Sequence, residues 1–135
     1  MRDKPCLTAD DVGDLAAACR AAAMAIGVPV TIAVSDDGGY LLHLERIDAR
    51  VSTLESALGK ARTAAITRNP TSSLAERVQA MPGLLTMNLT PLGGGVPLMI
   101  GGDCVGAIGV AGATAQQDEE IAIAGARLVS KFNTG

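Results

Sequence analysis

Aromatic side chains are almost missing from this 135-residue chain: there is no tryptophan, and Tyr40 and Phe132 are the only tyrosine and phenylalanine. A core must therefore come from Ala, Val, Leu and Ile, which bury less area per side chain than rings do. Hydrophobic residues still make up 48% of the chain, so part of that apolar surface is expected in a subunit interface and the protein is expected to be a homo-oligomer. There is one histidine, His43, so any imidazole chemistry or haem ligation by histidine rests on it. Clustered positive charge is also absent: the net charge is −3 and no two of the 11 Lys and Arg residues are adjacent. Without a basic face or stacking rings, nucleic acid is not an expected partner.

No apolar run approaches the roughly 20 residues that span a bilayer. The opening "MRDKPCLTADDVGDL" has Asp3, Asp10, Asp11 and Asp14 and no apolar stretch, so no signal peptide is expected. Cys6, Cys19 and Cys104 are odd in number and form no CxxC, which fits free thiols in a reducing cytoplasm rather than a disulfide frame or a thiolate metal site. No metal-ligand constellation, catalytic triad or spaced acidic pair is visible.

The expected organisation is one domain over residues 1–135. Thr8 and Asp11 form a capping-box pattern before Val12, Leu15, Cys19, Ala23 and Ile26 at helical spacing, and Gly27 ends that helix. "VTIAVS" reads as a strand, "DDGG" as a hairpin turn and "YLLHLER" as the second strand. Ser52 with Glu55 reads as a second capping box opening a helix to about Asn69, followed by a short helix over Ser73 to Ala80. "LLTMNL" (Leu84 to Leu89) reads as a third strand, and "VPLMI", "GGD" and "CVGAIGVA" as a second hairpin. Thr114 and Gln117 open a last helix with Ile121, Ala124, Leu128 and Phe132 on one face. Two hairpins separated by helices predict an α+β fold, an antiparallel sheet of about five strands with helices packed on it.

The stretch from Pro91 to Gly112 holds eight glycines. It has no GxxxxGK[ST] lysine, and Gly93, Gly94 and Gly95 lead into a strand, the wrong context for a dinucleotide fingerprint. Glycine within a strand marks a close approach by a ligand or by a neighbouring backbone. Gly94, Gly95 and Gly109 are therefore candidate ligand-binding positions, with tight helix or subunit packing as the other reading.

Several separate motifs occur in order: "VSDDGGYLLHLERID", "ALGKARTAA", "NPT", "GGGVPLMIGGDCVGAIGVAG" and "QDEEIAIAGA". Together, from about Leu7 to Leu128, the chain resembles the GlcG/HbpS-like family of small haem-binding or haem-degradation-associated proteins. Related domains are appended to corrinoid adenosyltransferases. The resemblance implies a profilin-like α–β–α layered fold, an oligomer built from dimers, and a pocket near subunit contacts that takes haem or another tetrapyrrole. It departs from the family at Ala49 and Arg50, where the pattern R-x-D-G-A is common, and at Ala111, where a serine is.

The remaining candidates come from residue types. His43 lies with Leu41 and Glu45 in strand alternation, either as a ligand or as a partly buried histidine bonded to Glu45. Arg46 could hold a carboxylate such as a haem propionate in a bidentate grip, with Asp48 orienting it or acting as a base, against a plain ion pair. Lys60 and Thr63 sit on a helix stripe with Ser52, Ser56, Gly59 and Thr67, which could line a small anionic pocket. Lys60, if desolvated, would serve as nucleophile or base. Three readings stay open: a tetrapyrrole binder, a small cofactor-independent enzyme acting on an organic or aromatic carboxylic acid in a catabolic pathway, or a non-catalytic structural subunit.

Overall fold

The computed structural model describes residues 1–132. Helix α1 (Ala9–Ile26) begins where the sequence puts it: Thr8 Oγ1 accepts from the Asp11 amide and the Asp11 carboxylate accepts from the Thr8 amide, a complete capping box. It stops at Gly27, whose φ of 82° is the left-handed cap that suits glycine. Strands β1 (Val30–Ser35) and β2 (Leu41–Ile47) follow. The turn between them is held by Asp36, whose Oδ1 accepts from the Gly38 and Tyr40 amides, each at 2.9 Å. Then come α2 (Ser52–Thr67), α3 (Thr71–Ala80) and a 3₁₀ segment (Pro82–Met87). Strands β3 (Gly95–Ile100) and β4 (Asp103–Ala111), helix α4 (Ala115–Ala126) and a second 3₁₀ segment (Arg127–Lys131) complete the order.

The strands form a single antiparallel sheet in the order β2-β1-β4-β3. The two faces of this sheet differ in side-chain size. One face presents Val30, Ile32, Val34, Val96, Leu98, Ile108 and Val110, which pack with Leu15 and Cys19 of α1 and Ile121 and Ala122 of α4. The other presents Ala33, Gly95, Ala107, Gly109 and Ala111 to Ala57, Ala61, Ala64 and Ala65 of α2. Helices on both faces give the α–β–α layers, and small residues on one side let α2 lie close to the strands.

Several expectations change. Among the described residues the sheet has four strands, not about five: Leu84 to Leu89 does not pair, and Pro82–Met87 is a 3₁₀ turn instead. Pro82 and Gly83 favour a tight turn, and Leu84 and Leu85 are neighbours rather than alternating. Ser52 does not cap α2; the cap position is Val51, which makes no side-chain bond, and Ser52 is already helical. Helix α3 starts at Thr71 rather than Ser73, with Thr71 Oγ1 accepting the Gly95 amide at 2.9 Å. The last helix tightens to 3₁₀ geometry at Arg127, before Leu128 and Phe132.

Candidate functional site

Helix α2 points a different side inward from the one its polar stripe suggests. Thr53, Ala57, Lys60, Ala61 and Ala64 follow helical spacing into the sheet, so Lys60 and Thr63 are carried into the interior with them. Lys60 is 4% exposed. Its ammonium donates to the Val110 carbonyl at 2.9 Å and to Asp118 Oδ2 at 3.1 Å. Asp118 Oδ1 in turn accepts the Ala113 amide at 3.0 Å, so the pair ties α2 to β4 and to the first turn of α4. An acid in that turn suits the helix dipole. Thr63 Oγ1 accepts the Thr90 amide at 2.8 Å and is equally buried.

The three candidate glycines belong to the same seam. A Cβ on Gly109 would lie 2.2 Å from the Ala57 carbonyl oxygen and 2.4 Å from the Ala61 nitrogen. One on Gly95 would lie 2.4 Å from the Lys60 carbonyl oxygen. Gly94, at φ 130°, leaves room for the Lys60 ammonium, which would stand 2.9 Å from a Cβ there. Here the approaching backbone is that of α2. Lys60, Thr63, Gly94, Gly95 and Gly109 are thus brought together, with their polar groups already partnered.

His43, Arg46 and Asp48 lie elsewhere and on different sides of β2. Arg46 pairs with Thr31 and so faces α2; it is exposed and makes no ion pair among the described residues. Asp48 is exposed just past the strand at φ 55°, beside a cleft of about 270 Å³ formed by Met24, Gly27, Pro29 and Ile47. His43 pairs with Val34 and so faces α1.

The groove around His43 has more of the features of a ligand site. A half-open cleft of about 390 Å³ is lined by Leu7, Thr8, Ala9, Val12, Gly13, Leu42 and His43. It adjoins a second cleft of about 240 Å³ that shares Leu7 and Leu42 and adds Lys4, Pro5, Cys6, Asp36, Asp37 and Val105. The His43 side chain is 33% exposed, and its Nε2 lies 3.4 Å from Glu45 Oε2. Glu45 is also ion-paired to Arg20 of α1, so one carboxylate links that guanidinium to the imidazole.

Residues before α1 form the roof of the groove, and two ion pairs hold them down. Lys4 Nζ meets Asp37 Oδ2 at 2.6 Å, and Arg2 forks onto the Asp103 carboxylate. The hydrogen bonds from Lys4 and Arg2 hold the Asp37 and Asp103 carboxyls below their ordinary range. Cys6 is an exposed thiol in this roof. Buried Cys19 sits beneath α4, and burial pushes its thiol up to about 12.

Sequence reasoning found His43 but not the groove's other walls. Lys4, Leu7 and Val12 precede or open α1, and nothing in their spacing points toward a strand about thirty residues on. It also missed Asp118 as the partner of Lys60, because the two are far apart in sequence and meet only through the α2–α4 packing.

The donor set fits one side of a haem: a single imidazole at the edge of an apolar wall made by Leu7, Val12 and Leu42, with room on the open side. No phenylalanine, tyrosine or tryptophan side chain is among the residues that line these two clefts. Among the described residues there is no group of three or more His, Cys, Asp or Glu side chains arranged to hold a bare metal ion. No helix there is long and apolar enough to cross a membrane.

A family model described as haem degrading protein HbpS-like matches residues 7–127. Protein GlcG of Escherichia coli is 45% identical over 85 residues, which span 60% of this chain and 63% of that protein. A double mutant of Streptomyces reticuli HbpS superposes with a TM-score of 0.89 at 37% identity, covering 95% of this chain and 90% of the other. A PduOC:heme complex superposes at 0.84 with 28% identity, covering 96% and 97%. From the match across most of its length and these shared layers, this chain is a member of the GlcG/HbpS-like family.

Proposed function

We propose that this protein binds haem or a related tetrapyrrole in the groove between residues 4–13 and β2, with His43 as the iron ligand. The observation that carries the reading is the position of the only histidine, on the wall of an apolar, half-open cleft. Glu45, itself fixed by Arg20, orients the imidazole, as carboxylates do for metal-bound histidines. Leu7, Val12 and Leu42 supply the wall against which an apolar macrocycle rests. The family description and the likeness to the PduOC:heme complex support the same ligand class. Bound haem would supply an iron centre; this chain's own part is to hold it, orient it and keep water from one face.

The propionates are assigned to Lys4 at the groove rim, a partly exposed ammonium that would share itself between a propionate and Asp37. Arg46 stands on the opposite face of β2, and Lys60 is engaged by Val110 and Asp118. The reading as an enzyme on an organic acid, with Lys60, Arg46 and Asp48 acting together, would need Lys60 to leave that pair. The protein is further proposed to work as a homo-oligomer built from dimers in the cytoplasm, a setting that the three free thiols suit.

Haemin titration followed by the Soret band tests this. A saturable, near-stoichiometric red-shifted band that is lost in His43→Ala supports the assignment. A band that survives the substitution keeps haem and removes His43 from the iron. The absence of any saturable band overturns the reading, and a thermal-shift panel of small carboxylates then tests the enzyme reading.

A further inference from the structure

We propose that the outer face of α2 carries a second ligand site, for a small organic monocarboxylate with a hydroxyl or ammonium donor at its far end. Arg62 grips the carboxylate and Glu55 accepts from the donor. The site lies across the sheet from the groove at His43, and the proposal does not depend on what that groove binds.

Glu55, Leu58, Gly59 and Arg62 follow one another at helical spacing, so all four share one face of α2, while Lys60 points the other way into the sheet. With Asn88, Thr90 and Gly39 of the turn before β2 they line a half-open cleft of about 410 Å³, as roomy as the groove at His43. Gly59 stands inside a helix, where alanine is the better helix former. It has a local reason to be there. A Cβ at this position would lie 2.2 Å from Thr90 Oγ1, so the bare backbone is what lets that hydroxyl come against the helix. Thr90 is held from behind, its amide donating to buried Thr63 Oγ1 at 2.8 Å, and its own hydroxyl has no hydrogen-bond partner among the described residues. Arg62 is half-buried and fixed in a similar way. Gly39, at φ 84°, lets the turn lie against the arginine stem, where a Cβ would stand 2.9 Å from Cγ, and Nη1 donates to the Asn88 carbonyl at 2.9 Å. The edge that carries Nε and Nη2 is left over, and among the described residues no carboxylate pairs with it. A guanidinium held by its stem and one nitrogen presents a preorganised fork to a carboxylate.

The rest of the cleft narrows the ligand. Arg62 and Glu55 give it one charge of each sign, so a dianion such as phosphate would carry a charge that nothing there balances and would meet Glu55 as a like charge. A monocarboxylate balances Arg62, and the Thr90 hydroxyl beside Gly59 offers it a second, neutral donor. Glu55 is exposed and makes no ion pair among the described residues, so it is free to accept from a hydroxyl or an ammonium. Glu55 and Arg62 leave α2 two turns apart, about 10 Å along its axis, which calls for a skeleton about as long as a ring or a short chain. Leu58 and the Gly59 backbone between them supply its apolar contact.

Titration calorimetry on the full chain tests the class, with para-hydroxybenzoate and 6-aminohexanoate as probes and benzoate, hexanoate and inorganic phosphate as their counterparts. At least one probe is expected to bind saturably with a millimolar or tighter Kd, and at least about tenfold tighter than phosphate and than its counterpart without the donor. Arg62→Met is expected to weaken that binding at least about tenfold, and Glu55→Ala to erase the preference for the donor. Thr90→Val should weaken binding where Thr90→Ser, which keeps the hydroxyl, should not. Circular dichroism checks that each variant folds, and the Thr90 pair carries the test if Arg62→Met does not. Amide chemical shifts locate the probe: those of Gly39, Gly59 and Thr90 should move with occupancy. Failure of both probes to bind saturably at millimolar concentration overturns the proposal, as does phosphate binding more tightly than either. So do unchanged affinity in a folded Arg62→Met, or shifts gathered at Thr8, Gly13 and His43, which would put the probe in the groove.

Discussion

The Lys60 ammonium and the Asp118 carboxylate meet at 3.1 Å in the interior, with side chains 5% and 3% exposed. Each also holds a backbone group, the Val110 carbonyl and the Ala113 amide, so the pair closes α2 and α4 over the end of β4. Removing one partner leaves an uncompensated buried charge. Lys60→Met or Asp118→Ala is therefore expected to cost about 3–5 kcal/mol in urea denaturation. The double variant Lys60→Met with Asp118→Leu should cost clearly less than the sum. Simple additivity would show that the two groups act independently.

Gly109→Ala is expected to cost about 3 kcal/mol or more, or to prevent folding, because its Cβ would meet α2 backbone that has no way to give. Gly13→Ala is the control: nothing lies within 4 Å of a Cβ there, and alanine is the better helix former. It should raise the urea midpoint, by up to about 1 kcal/mol of stability. A mild Gly109→Ala would show that the α2 seam is looser than its contacts.

Thiol reactivity should separate the three cysteines. In the native protein Ellman's reagent is expected to find Cys6 alone, with Cys19 and Cys104 appearing on unfolding. The Cys19 thiol, raised from its ordinary value of 9.0 to about 12 by burial, keeps its proton in the folded state. As pH climbs past 9, the unfolded chain loses a proton that the folded chain retains, so stability falls. The slope is up to about 1.4 kcal/mol per pH unit, continuing toward pH 12. Cys19→Ala should flatten that part of the curve; an unchanged slope would assign it to other groups.

The acid side reads the roof of the groove. Asp37 has its carboxyl lowered by Lys4, so its contribution is present above the ordinary carboxylate range and is lost as pH falls through the depressed value. Both side chains are partly exposed, so the global effect should stay under about 1 kcal/mol. Limited proteolysis is the sharper readout. Cleavage before α1 should increase near pH 3, and Lys4→Ala should reproduce that increase at pH 7. Equal protection in both would mean that the segment is anchored without the Lys4–Asp37 pair, by Leu7 and the Arg2–Asp103 pair.

Much of the fold is legible because local signals agree with tertiary ones. The Thr8 and Thr114 capping boxes, the Asp36 turn and the Gly101–Gly102 turn all set their elements without help from distant residues. Leu84 to Leu89 misled because its apolar content resembles a strand while Pro82 and Gly83 decide its shape. The surroundings of Lys60 were illegible for a different reason. Its stripe of short hydroxyls reads as the lining of an anionic pocket, and its buried partner Asp118 lies 58 residues further along, where no local pattern links the two. His43 was visible as a lone imidazole, yet its groove depends on residues before α1 that carry no motif.

The unequal faces of the sheet also set which parts of this fold can change over evolutionary time. Where α2 meets the sheet, Gly95, Gly109, Ala57 and Ala61 already sit at or near the smallest side chain available, so drift there has almost nowhere to go. Opposite α1 and α4, branched residues can exchange volume with one another while the layer stays filled. New ligand preferences in relatives of this chain should therefore be written on the α1 side, in the residues from Lys4 to Gly13 and along β2, while the α2 seam is inherited nearly unaltered.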